Sequence, residues 1–221
     1  MWTLHQHTLC PFSRKIRFQC AEKGVAVELQ RELPWERRDA FLLLNPAGQT
    51  PVFVRGAVTL SDSSAIAEYL EETVERTPLF GAGAEERAET RRMCAWVDQK
   101  FYSEVVVPLL AERMFKRVVT RGSPDAGTIR AAQRAAEGHL DYLDYLLEHR
   151  RWLSGPAFGL ADVAAAAQVS VADYLGGIDW DGHEETRTWY STIKSRPTFR
   201  PLLAERMEGL PPPVHYDKLD F

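Results

Sequence analysis

Hydrophobic and polar positions follow two different patterns along the chain. In residues 1–76, alternating positions predict strands near 2–4 and 25–29, and apolar runs on either side of Arg55-Gly56 predict a hairpin of strands at 51–54 and 57–60. Apolar residues at helical spacing predict helices over 10–22 and 61–73. This part of the chain is therefore expected to be a small α/β domain.

The second part of the chain has a helical period throughout. A Pro- and Gly-containing stretch at 77–84 predicts a linker, and residues 85–207 then predict only helices. Residues 160–175 are apolar on every side, which predicts a buried central helix. The three consecutive prolines after Leu210 cannot continue a helix, so residues 208–221 are expected to form a tail. The predicted fold is an α/β domain followed by an all-helical domain.

Composition and charge exclude several classes of protein. The chain has 221 residues, 45% of them hydrophobic and 26% charged, and a formal net charge of −4, as in an ordinary globular protein without a nucleic-acid partner. No apolar run is long enough to span a membrane, and the first residues do not resemble a signal peptide. Three cysteines without framework spacing indicate a reducing cytoplasm, and no Cys/His spacing predicts a metal site.

Three short motifs in the first domain indicate chemistry. Cys10 opens a predicted helix, where unpaired backbone N–H groups and the helix dipole favour a thiolate. Thr50-Pro51 interrupts an extended run, which makes its peptide bond a candidate for the cis isomer. Asp62-Ser63 begins another predicted helix and could hold the charged end of a ligand. The three motifs in this order predict a ligand-handling site.

These motifs carry a resemblance to the glutathione S-transferase superfamily, with a thioredoxin-like first domain. The matching stretches are residues 9–18, 45–54, 60–70 and 158–168. The resemblance implies that Cys10 or Ser13 faces the sulfur of glutathione, that the Thr50 backbone beside Pro51 pairs with the peptide, and that Asp62 and Ser63 hold its γ-glutamyl end. Each motif also has a purely structural interpretation, as a helix cap or a turn that defines the fold.

Two departures from the family pattern weaken the expectation of catalysis. Asp62 stands where relatives usually have Glu, so glutathione is expected to bind weakly if at all, and no cofactor is required. Ser13 stands where a resolving cysteine would be, so no internal dithiol cycle is possible. The resemblance also places Asp162 in a helix-capping box with Gly159 at the cap, which is a structural role.

Three further features could bind a partner protein. Trp35 lies in a polar loop, either packed beneath it or exposed as an anchor. Residues 113–134 carry six basic residues against Asp125, as either a solvated face or a docking surface for an acidic partner, with Arg113, Lys116 and Arg117 as candidates. The tail either packs on its own domain or presents an aromatic and acidic peptide; its candidate contacts are Tyr216, Asp217, Leu219, Asp220 and Phe221.

The closing segment 194–221 also resembles an alphaproteobacterial subgroup of the superfamily that binds the division protein FtsZ. This resemblance implies that FtsZ filaments, which are expected to be acidic, are the partner. It also implies a homodimer that acts in the cytoplasm at the division site. The alternative is an enzyme, a glutathione transferase or a glutathione-disulfide oxidoreductase, that uses Cys10 or Ser13.

Overall fold

A computed structural model of the chain describes residues 1–219. They form two compact units, Met1–Leu79 and a second unit from Phe80 onward. The division falls inside the segment 77–84 that was expected to be the linker. In the described part of the chain, no helix has both the length and the apolar character needed to cross a membrane.

The first unit is built on a four-stranded mixed sheet in the order β2-β1-β3-β4. The strands are β1 (Trp2–Gln6), β2 (Val27–Arg31), β3 (Val52–Arg55) and β4 (Val58–Ser61). β1 pairs with β2 in parallel and with β3 antiparallel, so that Leu4 lies between Leu29 and Phe53. A parallel pair needs a crossover connection, which the intervening helix provides.

Three α-helices accompany the sheet: α1 (Pro11–Glu22), α2 (Asp39–Leu44) and α3 (Ser63–Thr73), with a short 3-10 turn at Pro34–Glu36. Pro11 suits the first turn of α1, because its missing N–H would have no partner there. The helix ends before Gly24, whose positive φ of 66° closes the terminus. Buried residues of α1, α3 and the sheet, such as Leu4, Ile16 and Ile66, form the core of this unit.

The second unit begins with one long helical stretch, here called α4. It comprises the consecutive segments Ala84–Ala95, Trp96–Val106, Val107–Leu109 and Leu110–Val119, of which the second and fourth have wide i→i+5 turns. Pro108, which has no N–H to donate, lies between those two wide segments. The helical pattern predicted from residue 85 is therefore present, with a less regular geometry than the period implies.

Four further helices complete the second unit: α5 (Ala126–His149), α6 (Leu160–Tyr174), α7 (Glu184–Ser195) and α8 (Arg200–Ala204). Every residue of α6 is buried, so the predicted central helix is confirmed. Helix α8 is shorter than the predicted segment 197–207. The chain after it forms turns and irregular structure as far as Leu219.

Candidate functional site

The Cys10 thiol lies at the start of α1 beside the backbone of Thr50. As the N-cap residue, Cys10 accepts a hydrogen bond on Sγ from the Ser13 N–H at 3.4 Å. Its Sγ also donates to the Thr50 carbonyl at 3.3 Å, and the side chain is half-buried. The structure therefore brings together two of the predicted site residues. In this arrangement the thiol acts as a helix cap and a link to the next loop.

Ser13 does not present its hydroxyl to solvent. The residue is fully buried in the first turn of α1, and its Oγ has no hydrogen-bond partner within the described residues. The role of Ser13 as a sulfur-facing residue therefore stays a prediction. Of the two candidates, Cys10 has the more exposed side chain.

The Thr50-Pro51 peptide bond is cis, as predicted. Thr50 itself is buried, and its carbonyl accepts the Cys10 thiol. A ligand peptide that paired with this carbonyl would have to share it with that thiol. The motif therefore shapes the loop in front of β3 whether or not a ligand binds.

The carboxylate of Asp62 is used to cap helix α3. Its Oδ1 accepts from the backbone N–H groups of Ser64 at 2.8 Å and Ala65 at 3.0 Å. Asp62 is exposed and has a φ of 72° with a ψ of 125°, which lies outside the left-handed helical region. Ser63 is buried as the first residue of the helix. The structural interpretation of this pair, a plain N-cap, therefore describes the observed geometry.

Trp35 is half-buried in the 3-10 turn and packs edge-on against His7, with ring centroids 5.1 Å apart. Burial, together with the charges of Arg31 and Arg14, lowers the pKa of His7 to about 4. The imidazole is therefore neutral at neutral pH, which allows the two rings to pack without burying a charge. The location of Trp35 lies between the two alternatives: its ring is partly covered and partly available to a partner.

The basic stretch begins near the end of α4. Arg113 is half-buried and donates to the carbonyl of Leu175, at the C-terminal end of α6. Its pKa is lowered by burial and by the neighbouring charge of Arg117. Lys116 forms an ion pair with Glu112 at 2.7 Å, an acid that lies one residue outside the predicted basic stretch. Glu112 therefore partly neutralises the charge of Lys116, whereas Arg113 and Arg117 are neighbouring positive charges.

The tail packs on its own unit, so the prediction of Tyr216 as a presented anchor is wrong. Tyr216 is fully buried, and its ring meets Tyr174 edge-on with centroids 5.1 Å apart. The Tyr174 hydroxyl donates to the Leu210 carbonyl at 2.7 Å. Burying so large a ring removes far more apolar surface from water than a freely presented peptide could. The tail is thus a structural strap through Tyr216.

The remaining tail candidates differ in their exposure. Asp217 is exposed and pairs with Arg206, and Leu219 is half-buried. Asp220 and Phe221 lie outside the described residues. A partner could therefore reach Asp217 without any displacement of the strap.

The buried residues Lys194 and Asp173 form a charged cluster with His215 beneath the tail, which the sequence did not predict. The Lys194 ammonium is fully buried; it donates to the Lys218 carbonyl at 3.1 Å and lies 3.9 Å from Asp173. Asp173 is buried as well, and its Oδ1 lies 2.9 Å from the His215 Nε2 atom. Burial lowers the pKa of Lys194 to about 8, although Asp173 and Asp217 oppose this shift. The cluster fastens the tail to α6 and α7.

Asp162 occupies the structural position that was predicted for it. Its Oδ2 accepts from the Gly159 N–H at 3.0 Å, which closes the start of α6. Its Oδ1 accepts from the Leu153 N–H at 3.0 Å and from the Trp189 indole N–H at 2.9 Å. Burial raises the pKa of this carboxyl to about 6, and these three donors oppose the rise. Within residues 1–219, no group of His, Cys, Asp or Glu side chains could hold a metal ion.

Comparison with known proteins defines the class of protein first. Residues 9–73 match the family model described as glutathione S-transferase, N-terminal domain. The solved structure of a glutathione S-transferase from Rhodospirillum rubrum F11 superposes with a TM-score of 0.97 at 44% identity and covers 100% of both chains. The two-part architecture described above is therefore the glutathione S-transferase fold, as the sequence motifs predict.

A more specific relationship follows from similarity over the whole chain. FtsZ-localized protein A of Caulobacter vibrioides is 44% identical over 224 residues, which cover 99% of this chain and 98% of that protein. The solved structure of FzlA from C. crescentus has a TM-score of 0.96 at 43% identity and covers 100% of this chain and 99% of that one. This chain belongs to the family of FtsZ-localized protein A.

Proposed function

We propose that this protein regulates bacterial cell division by binding FtsZ filaments. The observation that carries the proposal is the 44% identity to FtsZ-localized protein A over 99% of this chain, tail included. A match confined to the first domain would support only the shared fold, because one fold hosts many functions. A cytoplasmic location at the division site follows from this partner.

The state of the thiol site supports binding, not catalysis, as the main role. The Cys10 Sγ is hydrogen-bonded within the first unit, Ser13 is buried, and the Asp62 carboxylate caps its own helix. Two groups that a glutathione enzyme would aim at its substrate, the thiol and the carboxylate, are thus hydrogen-bonded within the scaffold, and the third is buried.

The basic end of α4 supports an acidic partner such as the filament that the resemblance leads us to expect. Arg117 is exposed, and Lys116 is only partly neutralised by Glu112, since its side chain keeps 39% of its surface in solvent. Opposite charges speed the encounter of two proteins and make their association sensitive to salt. A homodimer would present this surface twice and would gain avidity along a filament that repeats one binding site.

Co-sedimentation with FtsZ tests the proposal. The purified protein is centrifuged with polymerised and with unpolymerised FtsZ of the same organism, at several salt concentrations. We expect it to pellet with the polymer only, and less at high salt. Reversing the charges of Lys116 and Arg117 to Glu should flatten that salt dependence, whereas the control pair Arg151→Glu and Arg200→Glu, also exposed arginines of this unit, should not. Absence of the wild-type protein from the polymer pellet would overturn the proposal.

The second candidate function is glutathione-dependent chemistry at Cys10. Its support is a half-buried thiol at a helix start beside the backbone of Thr50, in a region that matches the glutathione S-transferase N-terminal domain. We expect glutathione to bind weakly, and calorimetry measures this directly. A dissociation constant in the low micromolar range, equivalent to about −8 kcal/mol, would indicate a well-formed site and would favour the enzyme instead.

A further inference from the structure

The second unit contains a cavity of about 480 Å³ between the end of α4 and the tail. Arg113 and Arg117 line one side, and Ile129 of α5 contributes an apolar surface. Leu210, Pro211 and Pro213 of the tail form another wall. Pockets of about 300–1,000 Å³ with apolar walls and a few convergent polar groups are typical binding sites.

The charge of this cavity is positive and uncompensated by its lining. Its two titratable charged side chains are both arginines, and none of its lining residues is acidic. The nearby Glu112 is already engaged, because it accepts from Lys116 at 2.7 Å and from the Asp125 N–H at 2.7 Å. The Asp125 carboxylate caps α5 by accepting from the Thr128 N–H at 2.6 Å. The nearby acids are thus committed elsewhere, and an anion from outside would relieve the repulsion between the two guanidinium groups.

The backbone at Gly176 and the packing of the tail hold two walls of the cavity in place. Gly176 has a positive φ of 65°, and a Cβ atom there would lie 2.6 Å from Arg113 Nη1 and 3.4 Å from Pro213 Cγ. A side chain at this position would therefore displace the Arg113 guanidinium, and glycine leaves that space open and suits the positive φ. Tyr216 and Lys194 fasten the chain that follows Pro213. The proline wall is consequently fixed before any ligand arrives.

We propose that this cavity docks a short acidic segment of a partner protein. A carboxylate of the segment would bind Arg113 and Arg117, and a neighbouring apolar side chain would pack against Leu210 and the prolines. Guanidinium groups suit carboxylates because several N–H donors converge on two oxygens. A free hydrated anion would gain nothing from the proline wall, which is why the mixed lining favours a peptide.

This inference deepens the proposed function, since the segment would belong to the filament protein. It also changes the role of the tail in binding. Tyr216 would not contact the partner but would hold one wall of the site, and the tail would act through Leu210, Pro211 and Pro213. A defect in binding after tail removal would then reflect the loss of that wall.

The test is calorimetric titration with a defined probe, a capped six-residue peptide of alternating aspartate and leucine. The wild-type protein is compared with Arg117→Glu, with the milder Arg117→Gln, and with the control Arg130→Glu, an exposed arginine of the same basic stretch that does not line the cavity. We expect the peptide affinity to fall about tenfold or more for Arg117→Glu, because one charged hydrogen-bonded contact contributes about that much. The affinity should fall less for Arg117→Gln and should change less than twofold for the control. Circular dichroism of each variant checks its folding.

Two further probes give the alternatives a measurable outcome. The same peptide with asparagine in place of aspartate should bind at least about tenfold more weakly, since the charge-assisted hydrogen bonds are lost. Inorganic phosphate should bind more weakly than the acidic peptide. If phosphate binds as well as the peptide, the cavity is a simple anion site and the proposal is wrong. Equal peptide affinity in the wild type and a folded Arg117→Glu variant would overturn it as well.

Co-sedimentation of the same variants separates this inference from the proposed function. If the wild type and Arg117→Glu pellet equally with FtsZ filaments, the filament remains the partner but the cavity is not its docking site. If the wild type fails to pellet while its peptide binding depends on Arg117, the filament is the wrong partner and the cavity still accepts acidic segments. Loss of both signals in Arg117→Glu but not in Arg130→Glu supports both conclusions.

Discussion

Replacement of Tyr216 by Ala is expected to destabilise the protein strongly. The side chain is fully buried and packs edge-on against Tyr174. A buried tyrosine covers about 150–250 Å², which at about 25 cal/mol per Å² corresponds to about 4–6 kcal/mol. The unfolded chain already buries part of this surface, and aromatic-to-alanine changes in cores cost about 3–5 kcal/mol. We therefore expect a loss of about 3–5 kcal/mol in the free energy of unfolding.

The assay is thermal unfolding followed by circular dichroism. For a chain of this size, each kcal/mol lowers the melting temperature by about 2–4 °C, so that the expected decrease is about 6–20 °C. Tyr216→Phe keeps the ring and should retain most of the stability. Val214→Ala, at a tail position that is 81% exposed, is the matched control and should melt like the wild type. A decrease of less than about 2 °C for Tyr216→Ala would show that the tail does not act as a strap, since even one lost kcal/mol would produce it.

Two buried ionisable groups give the remaining predictions. Burial lowers the pKa of Lys194 in the folded state from 10.5 to about 8. Between these two pH values the unfolded chain therefore still holds a proton that the folded protein has lost, and stability rises with pH. The wild-type protein should therefore gain stability relative to Lys194→Met between about pH 7 and pH 10 in urea titrations; a constant difference would contradict the burial of the ammonium. Asp162→Ala leaves three buried N–H donors without an acceptor. Each unsatisfied donor costs about 1–3 kcal/mol, so the free energy of unfolding should decrease by at least about 3 kcal/mol. Asp162 holds its proton to about pH 6 in the folded state, so wild-type stability should fall from about pH 4 to pH 6 relative to Asp162→Asn; a parallel profile would refute this.

Local signals were enough to predict most of the first unit. Cys10-Pro11 indicates the start of helix α1, and two apolar runs around Arg55-Gly56 indicate the hairpin of β3 and β4. These features depend on residues close in sequence. The strand predicted near 25–29 lies at Val27–Arg31, and Leu29 is 43% exposed. This strand is at the edge of the sheet, and its residues after Val27 are all exposed.

The candidate sites were harder to predict because their partners lie far apart in the chain. Tyr216 is buried by Tyr174, and Lys194 by Asp173 and the tail, so that each contact joins segments more than twenty residues apart. Lys194 also stands near the end of an ordinary amphipathic helix, where lysine normally reaches solvent. Lys116 pairs with Glu112, which lies one helical turn before it and just outside the basic stretch 113–134, so the charges of the stretch alone do not indicate this ion pair.

The way Lys194 holds the tail has a consequence for how this segment can vary among relatives. Its ammonium donates to the backbone carbonyls of His215 and Lys218, at 3.4 and 3.1 Å, and every residue type supplies such a carbonyl. The hydrogen bonds of Lys194 therefore depend on the length of the tail and not on which side chains it carries. Insertions or deletions between Pro213 and Lys218 should be selected against, whereas exposed side chains such as Val214 can drift and adapt to a changing partner while the strap stays closed.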